Sequence, residues 1–241
     1  MQFKELVKKI IWPNRYNNEA FVSFLKKKGA KIGRNTRFIE PRKCHVDVGR
    51  AEYITIGDNC CLSCANILAH DYSWYVLKDA YDEILPDPGG KVEIGNNCFI
   101  GFNSTILKNT IIGDNVIIAA GAVVKGVIPS NTVWGGVPAK QICTLEEMLK
   151  KKINSRIEDA YYRYSVVRNN KGNVTISDMG MFSYLFLERT EDNYNAYLRD
   201  IEFNGIKEND VIKEYFFKTK PVFDGFEKFV EAYQRKQLTD K

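Results

Sequence analysis

The chain has 241 residues, of which 44% are hydrophobic and 27% charged, and its 35 Lys and Arg slightly outnumber its 30 Asp and Glu. This composition is typical of folded globular proteins and excludes disordered, collagen-like and disulfide-scaffold chains. The sequence has no run approaching the ~20 apolar residues that a membrane span needs, and its N-terminus lacks the apolar core of a secretory signal. Six Cys are too few for a disulfide framework in a chain of this length. We therefore expect a cytoplasmic protein.

The surplus of positive charge lies in residues 1–31, which hold eight Lys and Arg against two Asp and Glu. Apolar residues at helical spacing from Phe3 to Ile11, ended by Pro13, predict one helix, and a second is expected around residues 18–28. Two interpretations remain open: a helical cap over the end of the following domain, or a basic amphipathic segment that rests weakly on an anionic membrane surface. Because the surplus does not extend over the main body of the chain, nucleic acid is not an expected partner.

A six-residue repeat dominates the middle of the chain. An aliphatic residue opens each hexad, at Ile94, Ile100, Ile106, Ile112, Ile118 and Val124. The fourth position is held by Asn97, Asn103, Asn109, Asn115 and Gly121. Asn and Gly tolerate positive φ, so they predict a backbone corner in every hexad, while the aliphatic residue points inward. Three hexads make one coil, and the pattern predicts a mainly β fold: a left-handed parallel β-helix over residues 32–144, with the N-terminal helical cap before it.

Residues 71–90 interrupt the hexads and end in a Pro- and Gly-rich stretch, so we expect an excursion loop that leaves the coil. Its aromatic side chains favour ordered packing or contact with substrate; they are Tyr72, Trp74, Tyr75 and Tyr81.

The hexads stop after residue 144, and residues 145–241 are expected to form a helical domain. Apolar spacing predicts a helix over residues 145–168, and the remainder of the region is expected to form short helices such as 178–188, 191–202 and 224–236. No chemical motif is recognisable in this region.

The chain has two His, and His70 is the candidate base. It lies at an outer corner, where the excursion loop leaves the coil, and an imidazole exchanges protons near neutral pH. The spacing of Cys61 and Cys64 resembles a zinc motif, but Cys60 and Cys98 occupy the small core position of their hexads, so we expect packing and no metal. Two His are also too few for a zinc carbonic anhydrase of this fold.

The hexads, the excursion after a His and the segment 133–140, Val-Trp-Gly-Gly-Val-Pro-Ala-Lys, together resemble the hexapeptide-repeat acyltransferases. Within that family the sequence is most similar to sugar and polysaccharide O-acetyltransferases related to galactoside and maltose acetyltransferases. The resemblance covers roughly residues 30–143. It implies a homotrimer that binds acetyl-CoA between adjacent subunits. In such an enzyme His70 would deprotonate a hydroxyl of a sugar or glycan precursor, which then attacks the thioester directly.

The resemblance also implies a donor site. Backbone amides around Ala119 and Ala120 would meet the pantetheine arm, and Phe102 matches another groove position. Lys125 and Lys140 match positions near the phosphates of coenzyme A. Pro138 matches the residue packed on adenine, and Trp134 is a further candidate for stacking there.

Some positions depart from the family pattern. Where galactoside and maltose acetyltransferases carry an Asn and an Asp that hold the sugar, this chain has Lys43 and Ala51, so the acceptor need not be the same.

Three carboxylates are candidates to orient His70. Asp71 is adjacent and slightly favoured, Glu52 lies 18 residues earlier, and Asp47 is the weaker option. Two other functions also remain open: an N-acyltransferase for an amino sugar or antibiotic, and a non-catalytic β-helix scaffold.

Overall fold

The computed structural model describes residues 2–86, 89–203 and 210–239. The chain divides into two compact units, Met1–Lys151 and Lys152–Lys241. Helices make up 45% of the chain, so it is more helical than the mainly β fold predicted from the hexads. In the part of the chain that the structure describes, no helix is both long and apolar enough to cross a membrane.

Two helices begin the first unit, α1 over Gln2–Ile11 and α2 over Asn18–Lys27. The side chain of Asn17 caps α2 by accepting a hydrogen bond of 2.9 Å from the backbone N–H of Ala20. Helix α2 buries Phe21 and Leu25 in the core of the unit, and the Phe21 ring meets that of Phe38 edge to face at 5.0 Å. Helix α2 therefore packs against the first coil through these two side chains.

The strands of the first unit follow in chain order as β1 Lys31–Ile32, β2 Arg37–Ile39, β3 His45–Val46, β4 Ile54–Ile56, β5 Cys61–Ser63, β6 Asn66–Ile67, β7 Val92–Ile94, β8 Phe99–Ile100, β9 Thr105–Ile112, β10 Ile117–Ile118, β11 Val123–Ile128, β12 Thr132–Gly135 and β13 Lys140–Thr144. A 3₁₀ helix, Val48–Tyr53, lies between β3 and β4. One sheet has the order β1-β4-β7-β9-β6-β3, with β11 also on β9, and the other the order β13-β12-β10-β8-β5-β2. Only β12 and β13 pair antiparallel among the described strands.

The register of these strands stacks each hexad on the equivalent hexad of the next coil. Ile94 pairs with Ile56 on one side and with Ile112, three hexads later, on the other. All three side chains are buried, and the aliphatic residues that open the other hexads from Ile94 to Val124 are buried with them. The core is therefore a continuous column of aliphatic side chains inside the coil.

The coil turns at three corners, which we name by their residues. The Asn corner consists of positive-φ residues at Asn35, Asn59, Asn97, Asn115 and Asn131. The Phe102 corner comprises residues 64, 102–103, 119–121 and 135–136, with positive φ at Cys64, Asn103, Gly121 and Gly136. The His corner comprises residues 69–70, 89–90, 108–109 and 125–126, with positive φ at Gly89, Asn109 and Gly126. The expected corner is confirmed in the five consecutive hexads that begin at Ile94.

The excursion leaves and re-enters the coil at the His corner. The backbone N–H of Gly90 donates to the carbonyl of Ala69 at 2.8 Å, so the chain returns to the point where it left. The excursion carries a helix, α3, Trp74–Tyr81, which the sequence did not predict. Because both ends are joined by this hydrogen bond, the insertion leaves the stacking of the coils unchanged.

The remaining helices are α4 Leu145–Lys171, a 3₁₀ helix Ile176–Leu185, α5 Glu191–Phe203, α6 Asp210–Lys218 and α7 Phe226–Thr239. The 3₁₀ character of Ile176–Leu185 was not predicted, and α6 lies outside the ranges that were named as examples of the expected short helices. The core of the second unit is largely aromatic, and Tyr164, Phe186 and Phe229 are among its buried members.

Candidate active site

His70 lies at the last position of the coil before the excursion begins. Its side chain is 21% exposed, and its Nδ1 hydrogen-bonds with Oδ2 of Asp47, whose side chain is 6% exposed. An ionised carboxylate can only accept, so a neutral imidazole paired with it donates from Nδ1 and leaves the lone pair of Nε2 available. The pair therefore holds a partly exposed imidazole in the form that can take up a proton.

The irregular stretch after β2 brings Asp47 to this position. Strand β3 pairs with β6 so that Val46 faces Ile67, and the N–H of Asp47 donates to the carbonyl of Ile67 at 3.0 Å. The N–H of Ala69 donates to Asp47 Oδ2 at 3.3 Å. The same carboxylate oxygen thus accepts from the backbone and from the imidazole, which fixes the orientation of both side chains.

The expectation that Asp71 orients His70 is corrected by this geometry, because the carboxylate found on Nδ1 is that of Asp47. Asp71 instead accepts a hydrogen bond of 2.9 Å from the N–H of Ser73 through Oδ1, and its Oδ2 lies 3.9 Å from the Lys108 ammonium.

Glu52 is not the carboxylate found on Nδ1 of His70, which is that of Asp47. The Cβ of Glu52 lies 3.3 Å from the position that a Cβ on Gly29 would occupy, beside the end of α2. The 3₁₀ helix Val48–Tyr53 breaks the hexad spacing, and counting back 18 residues from His70 therefore gives the wrong neighbour.

One aromatic side chain of the excursion borders the imidazole. The ring centroids of Tyr72 and His70 are 4.3 Å apart at an angle of 48°, and Tyr72 is 67% exposed. A polar hydroxyl on an apolar ring suits contact with the edge and face of a small polar ligand. The sequence identified Tyr72 only as one of several loop aromatics, and its contact with His70 required the structure.

Four of the predicted donor-site residues lie together in adjacent coils at the Phe102 corner. The N–H of Gly121 donates to the carbonyl of Phe102 at 2.8 Å, and that of Ala119 to Trp134 at 2.8 Å. Phe102 and Ala120 are exposed, whereas Ala119 and Trp134 are half-buried. Gly101 allows the coils to approach closely here, because a Cβ at that position would lie 2.6 Å from the nitrogen of Ala120.

The other three predicted donor-site residues are all exposed. Pro138 follows the turn at Gly136, and Lys140 begins β13 opposite Gly135. Lys125 lies on β11 beside Gly126, and therefore at the His corner rather than at the Phe102 corner.

The His corner and the Phe102 corner are separated along each coil. Six residues of extended chain connect Asn103 to Asn109, which corresponds to about 20 Å. The candidate base and most of the candidate donor site of one chain thus lie at different edges of the coil.

The cysteines pack within the coil. The thiols of Cys60 and Cys98 each lie 3.1 Å from a backbone carbonyl, of Gly95 and Gly113 respectively. Burial raises the pKa of Cys44 to about 11. Within residues 2–86, 89–203 and 210–239, no three His, Cys, Asp or Glu side chains come together as a metal-binding group.

Comparison with known proteins gives consistent results. Residues 91–126 match the family described as bacterial transferase hexapeptide, six repeats. The putative lipopolysaccharide biosynthesis O-acetyl transferase WbbJ of Escherichia coli K12 is 38% identical over 105 residues, which are 41% of this chain and 54% of WbbJ. Protein CapG of Staphylococcus aureus is 34% identical over 149 residues, which are 61% of this chain and 82% of CapG. A solved galactoside acetyltransferase in complex with coenzyme A is 25% identical, with a TM-score of 0.39 over 60% of this chain and 82% of that one.

The family-model match, residues 91–126, lies within the coil, where the hexads and the stacked parallel strands lie. The chain spans about half the length of WbbJ but most of the length of CapG. The chain belongs to the hexapeptide-repeat transferase family.

Proposed function

We propose that this chain is an acetyl-CoA-dependent O-acetyltransferase that acts on a hydroxyl group of a sugar or glycan precursor. The observation that carries the proposal is the pairing of His70 with Asp47 at the His corner. A non-catalytic β-helix scaffold would not require a partly exposed imidazole that is oriented by a buried carboxylate. The names of two relatives, an O-acetyl transferase of lipopolysaccharide biosynthesis and a galactoside O-acetyltransferase, favour transfer of an acetyl group to a carbohydrate oxygen.

In this proposal His70 is the general base. Its Nε2 takes the proton of the acceptor hydroxyl while the hydroxyl oxygen forms a bond to the acetyl carbonyl carbon. Acetyl-CoA supplies the acetyl group as a thioester, whose carbon–sulfur bond breaks as the ester forms. The proton on Nε2 then passes to the departing thiolate, which returns the base to its starting state. Asp47 acts through His70 by holding the ring and stabilising its positive charge.

The donor binds, in this proposal, along the Phe102 corner. The small side chains of Ala119 and Ala120 leave room for the pantetheine arm beside Phe102. Pro138 and Trp134 offer apolar faces to the adenine ring. Lys140 supplies positive charge for the phosphates, and Lys125 at the His corner of the neighbouring copy is a second cation for the donor.

We further propose that the active protein is a homotrimer with each site formed by two subunits. The separation of the His corner from the Phe102 corner within one chain supports this arrangement, because one copy then supplies the base and its neighbour the donor groove. The coil on which both corners lie is proposed to be left-handed, as the repeated Asn and Gly corners favour. The cytoplasm is the proposed site of action.

The substitution His70→Ala tests the proposal. We expect turnover, followed as thiol release from acetyl-CoA with a panel of sugar and amino-sugar acceptors, to fall about 10²–10⁴-fold. The matched control is His45→Ala, which removes the other, exposed histidine and is expected to retain normal turnover. Near-normal activity of His70→Ala would exclude His70 as the base. Transfer to amines but not to hydroxyls would exclude the O-acetyltransferase and leave the N-acyltransferase.

A further inference from the structure

Helix α1 differs from α2 in that several of its apolar side chains are exposed to solvent. Val7, Ile10 and Ile11 are spaced so that they share one side of the helix. Ile10 is 74% exposed, Ile11 56%, and the following Trp12 40%. Val7, Ile10, Ile11 and Trp12 thus form a narrow apolar strip open to solvent, which we call the α1 surface. In contrast, α2 buries Phe21 and Leu25.

Positive charge lies along both margins of this strip. Lys8 and Lys9 are exposed, and each is one residue, about 100° of helical turn, from a member of the strip. The guanidinium of Arg42 lies over the Trp12 ring, 4.9 Å from its centroid. Glu40 is an acidic group beside Arg42, lying 3.7 Å from Arg42 and 3.8 Å from Lys43. The local balance remains positive, consistent with the excess of basic residues in residues 1–31.

The apolar strip and the positive charges beside it together indicate which kind of partner binds the α1 surface. Apolar side chains flanked by ammonium groups, with an indole at the end of the helix, match the boundary of an anionic bilayer, where acyl chains lie beside phosphates. Indole rings favour the headgroup level of that boundary. A second copy of the same surface would bring two positive segments together, and like charges facing each other are unfavourable.

We propose that the α1 surface binds the surface of an anionic lipid bilayer, with α1 in the plane of the headgroups. This inference goes beyond the proposed function, because acetyl transfer to a dissolved acceptor does not require it. It rests on exposed side chains at one end of the first unit and on no residue of the His corner. Its failure would therefore leave the acetyltransferase proposal intact.

Sedimentation of the full chain with vesicles tests this proposal. We expect binding to vesicles of phosphatidylglycerol and phosphatidylcholine, a steep decrease in binding with added NaCl, and much weaker binding to phosphatidylcholine alone. Equal binding to both vesicle types, or binding to neither, would overturn the proposal.

Paired variants separate the two parts of the surface. Ile10→Asn with Ile11→Asn is expected to weaken vesicle binding about 100-fold, and Lys8→Gln with Lys9→Gln about 30-fold. Matched controls make the same changes at exposed positions elsewhere, Val211→Asn with Leu238→Asn and Lys151→Gln with Lys152→Gln. Vesicle binding should not change in either control.

The oligomeric state, measured by light scattering without lipid, distinguishes lipid binding from contact between two copies of the chain through the α1 surface. It is expected to be the same for the wild type and the Ile10/Ile11 variant. A smaller assembly in that variant would show that a second copy covers the strip, and would contradict the lipid proposal.

Discussion

The Asn corner and the His corner of the coil have similar backbone turns but different side-chain interactions. At the Asn corner each coil turns on an Asn with positive φ, and the side-chain amides hydrogen-bond from coil to coil, Asn97 to Asn115 at 2.8 Å and Asn115 to Asn131 at 3.0 Å. At the His corner this ladder is absent among the described residues, the chain leaves for residues 71–90, and His70 pairs with Asp47.

The comparison between the two corners shows how a repeat protein can hold a functional site where its repeat is interrupted. Amides at equivalent positions of successive coils hydrogen-bond with one another, Asn35 with Asn59, Asn97 with Asn115 and Asn115 with Asn131. At the His corner the repeat is interrupted by the excursion. The backbone hydrogen bond from Gly90 to Ala69 joins the two ends of the excursion. We therefore expect substitutions at the Asn corner to change stability and substitutions at the His corner to change activity.

The largest effect in this comparison is expected for Asp47→Asn. An amide in place of the carboxylate can donate to Nδ1 and no longer stabilises a charged imidazole, so turnover should fall about tenfold or more, but less than in His70→Ala. The measurement is thiol release at saturating acetyl-CoA. The same change at the Asn corner, Asp114→Asn, is the control, because Asp114 accepts only from Asn96 among the hydrogen bonds described for its side chain. Equal loss in both variants would break the distinction between the corners.

Asn115→Ala should have the reverse effect. It removes two rungs of the amide ladder and places a Cβ-bearing residue without a polar side chain at positive φ, so the free energy of unfolding should fall by about 1–2 kcal/mol. Asn115→Gly keeps the freedom to adopt positive φ and loses only the amide, so it should be destabilised less. Thermal unfolding measures both variants. Turnover per folded molecule is expected to remain normal, and a large loss of turnover would place Asn115 in the site.

The smallest effect is expected for Asp71→Asn. The amide oxygen of an Asn can still accept from the N–H of Ser73, and the orienting carboxylate on His70 is Asp47. Turnover should therefore stay within about threefold of the wild type, far less than the loss of a general base. If Asp71→Asn instead lowers turnover as much as Asp47→Asn, Asp71 belongs to the catalytic machinery.

The sequence predicted the regular coils well because each hexad shows both an inward-facing aliphatic residue and a residue that tolerates positive φ. Ile94, Ile100 and Ile106 had to face inward, and Asn97 and Asn103 had to adopt positive φ, as they do. The stretch between β2 and β4 was not predictable in this way. The 3₁₀ helix Val48–Tyr53 has no counterpart in the repeat, so counting residues fails there.

The second unit was harder to predict than the coil because distant segments build its core. Tyr161 meets Tyr233 at a ring distance of 5.7 Å, although 72 residues separate them. The local spacing of apolar residues carries little information about such pairs.

The candidate site was predicted in part. The position of His70 followed from the hexads, since the excursion begins immediately after it. Its partner Asp47 was the least favoured of three carboxylates, because its placement depends on the pairing of β3 with β6 in the irregular coil. Lys125 lies at a different corner from Phe102, which spacing along the repeat did not reveal.

The most direct test of the central claim is a double-mutant cycle on Asp47 and His70, with turnover as the readout. If Asp47 acts only through the imidazole, the variant with both Asp47→Asn and His70→Ala has the same residual turnover as His70→Ala alone. If the two losses instead multiply, the two residues act independently, and the account of the His corner as a single base and its positioning carboxylate is wrong.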